Sequence, residues 1–129
     1  MPLLSAAGRA FVAERRLATL TTMRPDGTPH VTPVGFTWDD EASLARVICS
    51  GGSRKAANVG AGAPVALCQF EGRQWLTLEG RGRVRTDATA VADAVARYAV
   101  RYRPPRANPA RVVIEVEVTR ALGTAVLLG

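Results

Sequence analysis

Between Trp75 and Arg85 the chain changes side with every residue. Leu76, Leu78 and Val84 fall on one side, and Trp75, Thr77, Glu79, Arg81, Arg83 and Arg85 on the other. A two-residue period is that of a strand with one buried face, and a helix cannot satisfy it. Gly80 and Gly82 interrupt the run and leave room for a bend or bulge. Arg111 to Arg120 repeats the pattern, with Val112, Ile114, Val116 and Val118 inward and Glu115 and Glu117 outward. Acids on one strand and an arginine row on the other predict cross-strand ion pairs.

Four more runs read as strands: Leu17 to Met23, Pro29 to Trp38, Leu44 to Cys49 and Val65 to Phe70. Arg24-Pro25-Asp26-Gly27 between the first two is a turn, because proline presets its backbone and Asp-Gly accepts a positive dihedral. Helices are expected over Ser5 to Glu14, briefly after the third strand, and from Ala88, capped by Asp87, to about Arg103, where Pro104-Pro105 ends it. Val91, Val95, Tyr98 and Tyr102 give this last helix its apolar spacing. Strands joined by tight turns do not make alternating βαβ units. The expected class is therefore mainly β, a six-stranded antiparallel split barrel with flanking helices, since closure removes exposed edges.

At 129 residues, 47% hydrophobic and 22% charged, one domain spanning 1–129 is expected. No apolar run reaches the length of a membrane span, and the start lacks the pattern of an export signal. The expectation is a cytoplasmic protein with no membrane partner. Cys49 and Cys68, with His30 as the single histidine, form no metal-ligand spacing, so no metal is expected.

Basic residues outnumber acidic ones 17 to 11, and Lys55 is the one lysine. That charge favours anionic partners without choosing among them. Position is more telling. Ile48-Cys49-Ser50-Gly51-Gly52-Ser53-Arg54-Lys55-Ala56-Ala57-Asn58 runs from a strand through two glycines into a short helix capped by Ser53. Arg54 and Lys55 in a first helical turn cost about 0.3–1 kcal/mol apiece against the helix dipole unless an anion lies there. Glycines allow close approach, hydroxyls and free amides donate, and the cations neutralise charge, so a phosphate is expected at this corner. A plain turn followed by a solvated basic face is the competing reading. Neither GxxxxGK[ST] nor GxGxxG is present, which disfavours ATP and NAD.

These residues carry a resemblance. The chain resembles the split-barrel family of flavin- and deazaflavin-binding proteins related to pyridoxamine 5'-phosphate oxidase, in which a Ser-Arg-Lys motif, here Ser53-Arg54-Lys55, holds the phosphate. The likeness runs through LATLTTMRPDGTPHVTPVGF at 17–36, ARVICSGGSRKAANV at 45–59 and QWLTLEGRGRV at 74–84. It is nearest the branch that uses coenzyme F420, and RYRPPRANPARVVIEV at 101–116 is similar to members of that branch that reduce biliverdin. The resemblance implies a homodimer with cofactor sites at the subunit interface, and hydride transfer from the reduced deazaflavin to an organic acceptor, a tetrapyrrole such as biliverdin. FMN is the alternative cofactor.

By the same resemblance Ser50, Gly51, Gly52, Ser53, Arg54 and Lys55 hold the phosphate and Asn58 supports their turn. Val34, Gly35 and Phe36 line the ring system with Val47 to Cys49 beside it, and Trp75 approaches the cofactor, in one reading from the second subunit. Arg101, Arg103 and Arg106, in a basic stretch from Arg97 to Arg111, are candidates for carboxylates of cofactor or substrate. A solvated surface is the other reading of that stretch.

No catalytic side chain is assigned, because a deazaflavin brings its own reactivity and the protein has only to position it. His30 is read as a surface residue and Cys49 as a small hydrophobe. The single histidine rules out a Ser-His-Asp set, and no carboxylate pair suggests hydrolysis. Two other classes stay open: a cofactor-binding carrier or sensor without turnover, and a basic barrel for nucleic acid. The two Trp, two Tyr and three Phe do not interleave with the basic run, so no stacking platform is evident and no nucleic acid is expected.

Overall fold

The computed structural model describes residues 2–129. Its elements run α1 (Ala6–Ala13), β1 (Ala18–Met23), β2 (Pro29–Val34), β3 (Thr37–Asp39), β4 (Leu44–Ser50), α2 (Arg54–Val59), β5 (Ala63–Glu71), β6 (Gln74–Arg85), α3 (Ala88–Arg101) and β7 (Arg111–Gly123), then a 3-10 turn at Ala125–Leu127. The caps expected from sequence are formed: Ser5, Ser53 and Asp87 side chains accept from Gly8, Ala56 and Ala90 amides. The β1–β2 hairpin turns at Gly27, whose φ is +85°, with Asp26 accepting from the Thr28 amide and hydroxyl at 3.0 and 2.6 Å. Among the described residues no helix is long and apolar enough to cross a membrane.

All pairings are antiparallel, and the strand order is β2-β1-β5-β6-β7-β4-β3. This order itself forces curvature. Laid flat, the outermost strands of seven would lie about 29 Å apart at ~4.8 Å per step. Yet those two edges, β2 and β3, are joined by Gly35 and Phe36 alone, a link that reaches at most about 11 Å. The sheet must therefore roll up until its edges face one another, which is a split barrel. The strand count departs from expectation for the same reason: Pro29 to Trp38 is two strands, because the chain leaves one edge and starts the other.

Leu20, Leu67, Leu76, Leu78, Val47, Ile114 and Val116 fill the barrel, with Phe11, Val12, Leu4 and Leu127 closing one end. The register of β6 on β7 slips between Glu79 and Gly80. A Cβ at Gly80 would lie inside contact distance of the Glu117 carbonyl, so the glycine is required where the bulge was expected. β7 continues past Arg120 to Gly123, and α3 stops at Arg101 rather than Arg103, capped by Tyr102.

Arg83 and Arg85 pair with Glu115 at 3.3 and 3.4 Å, the cross-strand pairing expected. Glu115, however, is buried rather than solvent-facing, as is Val113 on the same face. The cause is α3, which lies across the outer side of β4 and β7 and buries Ala94 against them. Both faces of these strands are covered, so strict alternation of burial fails there.

Candidate functional site

Where β4 ends and α2 begins, the chain forms one wall of a cleft of about 390 Å³. Pro33, Val34 and Gly35 at the end of β2 form another, and Tyr98 of α3 a third. Ile48, Cys49, Ser50, Ser53 and Lys55 come from the corner itself, and Pro105, Asn108 and Arg111 close it from the segment between α3 and β7. No Asp or Glu is among these lining residues. The cleft thus has two cations, two serine hydroxyls and an apolar rim.

Each part is held locally. Ser53 Oγ donates to the Ser50 carbonyl at 2.7 Å, and the Gly51 amide donates to Ala110 at 2.8 Å. Asn108 Nδ2 donates to Ser50 Oγ at 2.9 Å, while its Oδ1 accepts from the Ala110 amide at 3.0 Å. The loop after α3 is therefore pinned to the glycine corner. Gly35 sits in a crowded place: a Cβ there would stand 3.0 Å from the Tyr98 and Tyr102 rings, which pack with centroids 4.7 Å apart and would have to shift. Tyr102 donates to the Arg16 carbonyl at 2.6 Å and accepts from the Phe36 amide at 3.2 Å. Burial pushes the Cys49 thiol above its ordinary range, outweighing Ser53 and Lys55, so it stays protonated and unreactive.

Of the residues singled out from sequence, the cleft brings together Val34, Gly35, Cys49, Ser50, Ser53 and Lys55. Gly51 and Gly52 form its turn, but the Gly51 amide is already bonded to Ala110. Arg54 is exposed and outside the lining. α2 has only six residues, so its dipole is small and Lys55 supplies the charge.

Several expectations are corrected. Phe36 and Val47 are 1% exposed and belong to the core, because they sit on the inner side of the rolled sheet. Asn58 turns away from the glycine corner and donates to Thr22 Oγ1 of β1 at 3.0 Å. Trp75 is not among these corrections: it is exposed at the β5–β6 hairpin and outside the lining of its own chain's cleft, so an approach to the cofactor would be made from a second subunit. Arg101 is an internal tie: it donates to the Glu14 carbonyl, Gln69 Oε1 and the Phe36 carbonyl. Arg103 lines a smaller hollow of about 280 Å³ with Arg15, Arg16, Leu17, Tyr98 and Tyr102, and Arg106 is exposed. His30 is half-buried rather than a plain surface residue, with Nδ1 buried and unpartnered among the described residues.

Pro33, Tyr98, Pro105 and Asn108 were not singled out as site residues, and Arg111 only as the end of a basic stretch. For Pro105, Asn108 and Arg111 the signal lay in the Pro-Pro…Asn-Pro-Ala-Arg segment, whose turn chemistry after a helix marks a built loop rather than a solvated basic stretch.

Comparison with known proteins agrees with this architecture. A family model described as pyridoxamine 5'-phosphate oxidase matches residues 4–125. A biliverdin reductase of Mycobacterium tuberculosis (strain CDC 1551 / Oshkosh), dependent on reduced coenzyme F420, is 56% identical over 119 residues, covering 92% of this chain and 87% of that protein. Among solved structures, an F420 reductase aligns with a TM-score of 0.73 at 26% identity, covering 88% of this chain and 94% of that one. A conserved hypothetical protein from Mycobacterium tuberculosis aligns with a TM-score of 0.77 at 21% identity, covering 95% and 85%, a likeness of fold.

Proposed function

Because the chain belongs to the pyridoxamine 5'-phosphate oxidase family, we propose that it is a cytoplasmic oxidoreductase that uses reduced coenzyme F420 to reduce biliverdin to bilirubin. The observation that carries the reading is the cleft between β2, β4 and the loop after α3. It offers Lys55 and Arg111 as cations and Ser50 and Ser53 as hydroxyls, with no carboxylate in its lining. A phosphate fits the polar end, and Pro33, Val34, Ile48 and Tyr98 suit a planar ring. The relative at 56% identity supports both the cofactor and the acceptor.

When bound, the deazaflavin supplies a hydride, which with one proton reduces a methine bridge of the acceptor. The chain's own residues bind, orient and exclude water. Lys55 and Ser53 hold the phosphate through charge-assisted bonds, and Asn108 fixes the rotamer of Ser50 beside them. Gly35 makes room for Tyr98, which walls the cleft, and for Tyr102, and the neutral Cys49 leaves the cleft free of competing charge. Arg111 is the second cation at the polar end, and the proton is drawn from solvent. Arg15 and Arg103, around Tyr98 from the cleft, are free of ion pairs among the described residues and suit ligand carboxylates that extend out of the cleft.

The active species in this reading is a homodimer. Phe70 and Trp75, register partners at the β5–β6 hairpin, are 62% and 44% exposed. Two such large apolar side chains together are typical of a surface covered in the assembly, and Trp75 is then available to the partner's cleft.

Titration with coenzyme F420 and separately with FMN, read by cofactor fluorescence, tests binding. Anaerobic mixing with reduced coenzyme F420 and biliverdin tests turnover. Tighter binding of the deazaflavin and loss of the long-wavelength band of biliverdin are expected. Binding without spectral change would leave a carrier, and preference for FMN would overturn the cofactor assignment.

A further inference from the structure

On the side of α3 away from Tyr98 lies a second hollow of about 290 Å³, walled by Val12, Ala13, Trp38 and Val100. Thr37, Arg97 and Arg101 complete it. Its hydrogen-bonding groups do not balance. Thr37 and Arg46 are register partners on β3 and β4, so their side chains leave the same face of the sheet. Each has a buried polar atom, Thr37 Oγ1 and Arg46 Nε, without a hydrogen-bond partner among the described residues. Asp93 lies 3.7 Å from Arg46 Nε, beyond hydrogen-bonding distance.

The ion pairs around the hollow leave out Arg101. Asp39 and Asp93 are both shared between Arg46 and Arg97, at 3.1 to 3.7 Å. Arg101 forms no ion pair among the described residues. Three of its N–H groups go to uncharged oxygens, those of Glu14, Phe36 and Gln69, and its guanidinium lies 4.7 and 5.0 Å from the centroids of Phe36 and Tyr102. The Glu14 carboxylate is engaged by Arg16 at 3.0 Å, and Arg16 also pairs with Glu71. A guanidinium has five N–H groups, so two on Arg101 remain. The hollow therefore presents the unpartnered Thr37 hydroxyl and, in Arg101, a guanidinium with no ion pair of its own beside apolar walls. Water would leave Arg101 without an ion pair, and an inorganic anion would leave the walls wet.

We propose that this hollow binds a small organic carboxylate, with its carboxylate on Arg101 and Thr37 and a compact apolar body between Val12, Ala13, Trp38 and Val100. The site is independent of the cleft that holds Lys55, and its occupant would buttress α3 from behind.

Benzoate is a suitable probe, followed by amide chemical shifts of the full-length labelled chain at constant ionic strength. Saturable shifts at residues 12–13, 37–38 and 97–101 are expected, with neutral benzamide at least about tenfold weaker because the charge-assisted contact is lost. Val100 is 89% exposed, so Val100→Glu keeps the fold while placing a like charge at the mouth, and it should abolish the shifts. Thr37→Val, which removes the hydroxyl and keeps the shape, should weaken benzoate about threefold or more. No saturation by about 20 mM, equal binding of benzamide, or shifts confined to the Lys55 cleft would each overturn the assignment.

Discussion

Lys55 and Arg54 are neighbours in the chain and separate in the structure, for one lines the cleft and the other points to solvent. Lys55→Ala and Arg111→Ala should each weaken coenzyme F420 binding about tenfold or more, the loss expected for a charge-assisted contact, whereas Arg54→Ala should stay within about twofold. Fluorescence titration distinguishes the three. Tyr102→Phe is a stability test: the Phe36 amide loses its acceptor in a part-buried setting, which costs about 1–3 kcal/mol and is read by denaturant unfolding. What was legible at this scale were contacts made within a few residues. Ser5, Ser53 and Asp87 cap because the amide they serve lies three positions on. Phe36, Asn58 and Arg101 were misread because their partners, Arg101, Thr22 and Gln69 respectively, are distant in sequence and only the closed sheet brings them together.

α3 shows how an element can divide one run of like charges. Helical geometry sends Tyr98 and Tyr102 towards the cleft side and Arg97 and Arg101 towards the opposite hollow, so the basic stretch read as one surface is at least two. The helix is clamped to β3 and β4 through Asp39, Arg46, Asp93 and Arg97. Burial by itself would raise the Asp39 carboxyl, but the Ala42 amide, Arg46 and Arg97 outweigh it and hold it below the ordinary range. A lowered native value means that the stabilisation is complete above the unfolded-state pKa of about 3.9 and is lost as pH falls through the lower native one. Thermal unfolding between about pH 5 and pH 2 should therefore show a steeper loss for the wild-type chain than for Asp39→Asn. At the other end of the element, Asn108→Ala releases the loop from Ser50. It should raise the KM for the cofactor several-fold with little change in melting temperature.

For the whole molecule, the mainly β class, the hairpin at Gly27 and the bulge at Gly80 were readable because period and turn chemistry are local quantities. The seventh strand was not, since three residues, Thr37–Asp39, become a strand only when Leu44–Asp39 pairing places them beside β4. The proposed homodimer makes a prediction at this scale: Trp75→Glu should shift sedimentation towards the monomer and weaken cofactor binding at the same time, if one copy completes the other's cleft. An unchanged sedimentation coefficient would remove the dimer from the reading.

The barrel's ends meet across Gly35 and Phe36 without a ladder between β2 and β3, and this backbone is fastened instead by Tyr102 and Arg101 reaching down from α3. The seam is thus stitched by side chains from a helix, while every other join between adjacent strands is a row of main-chain bonds. Deuterium uptake should be fastest along β2 and β3 and slowest in β6 and β7, and any ligand that steadies α3 should slow exchange at a seam it does not touch.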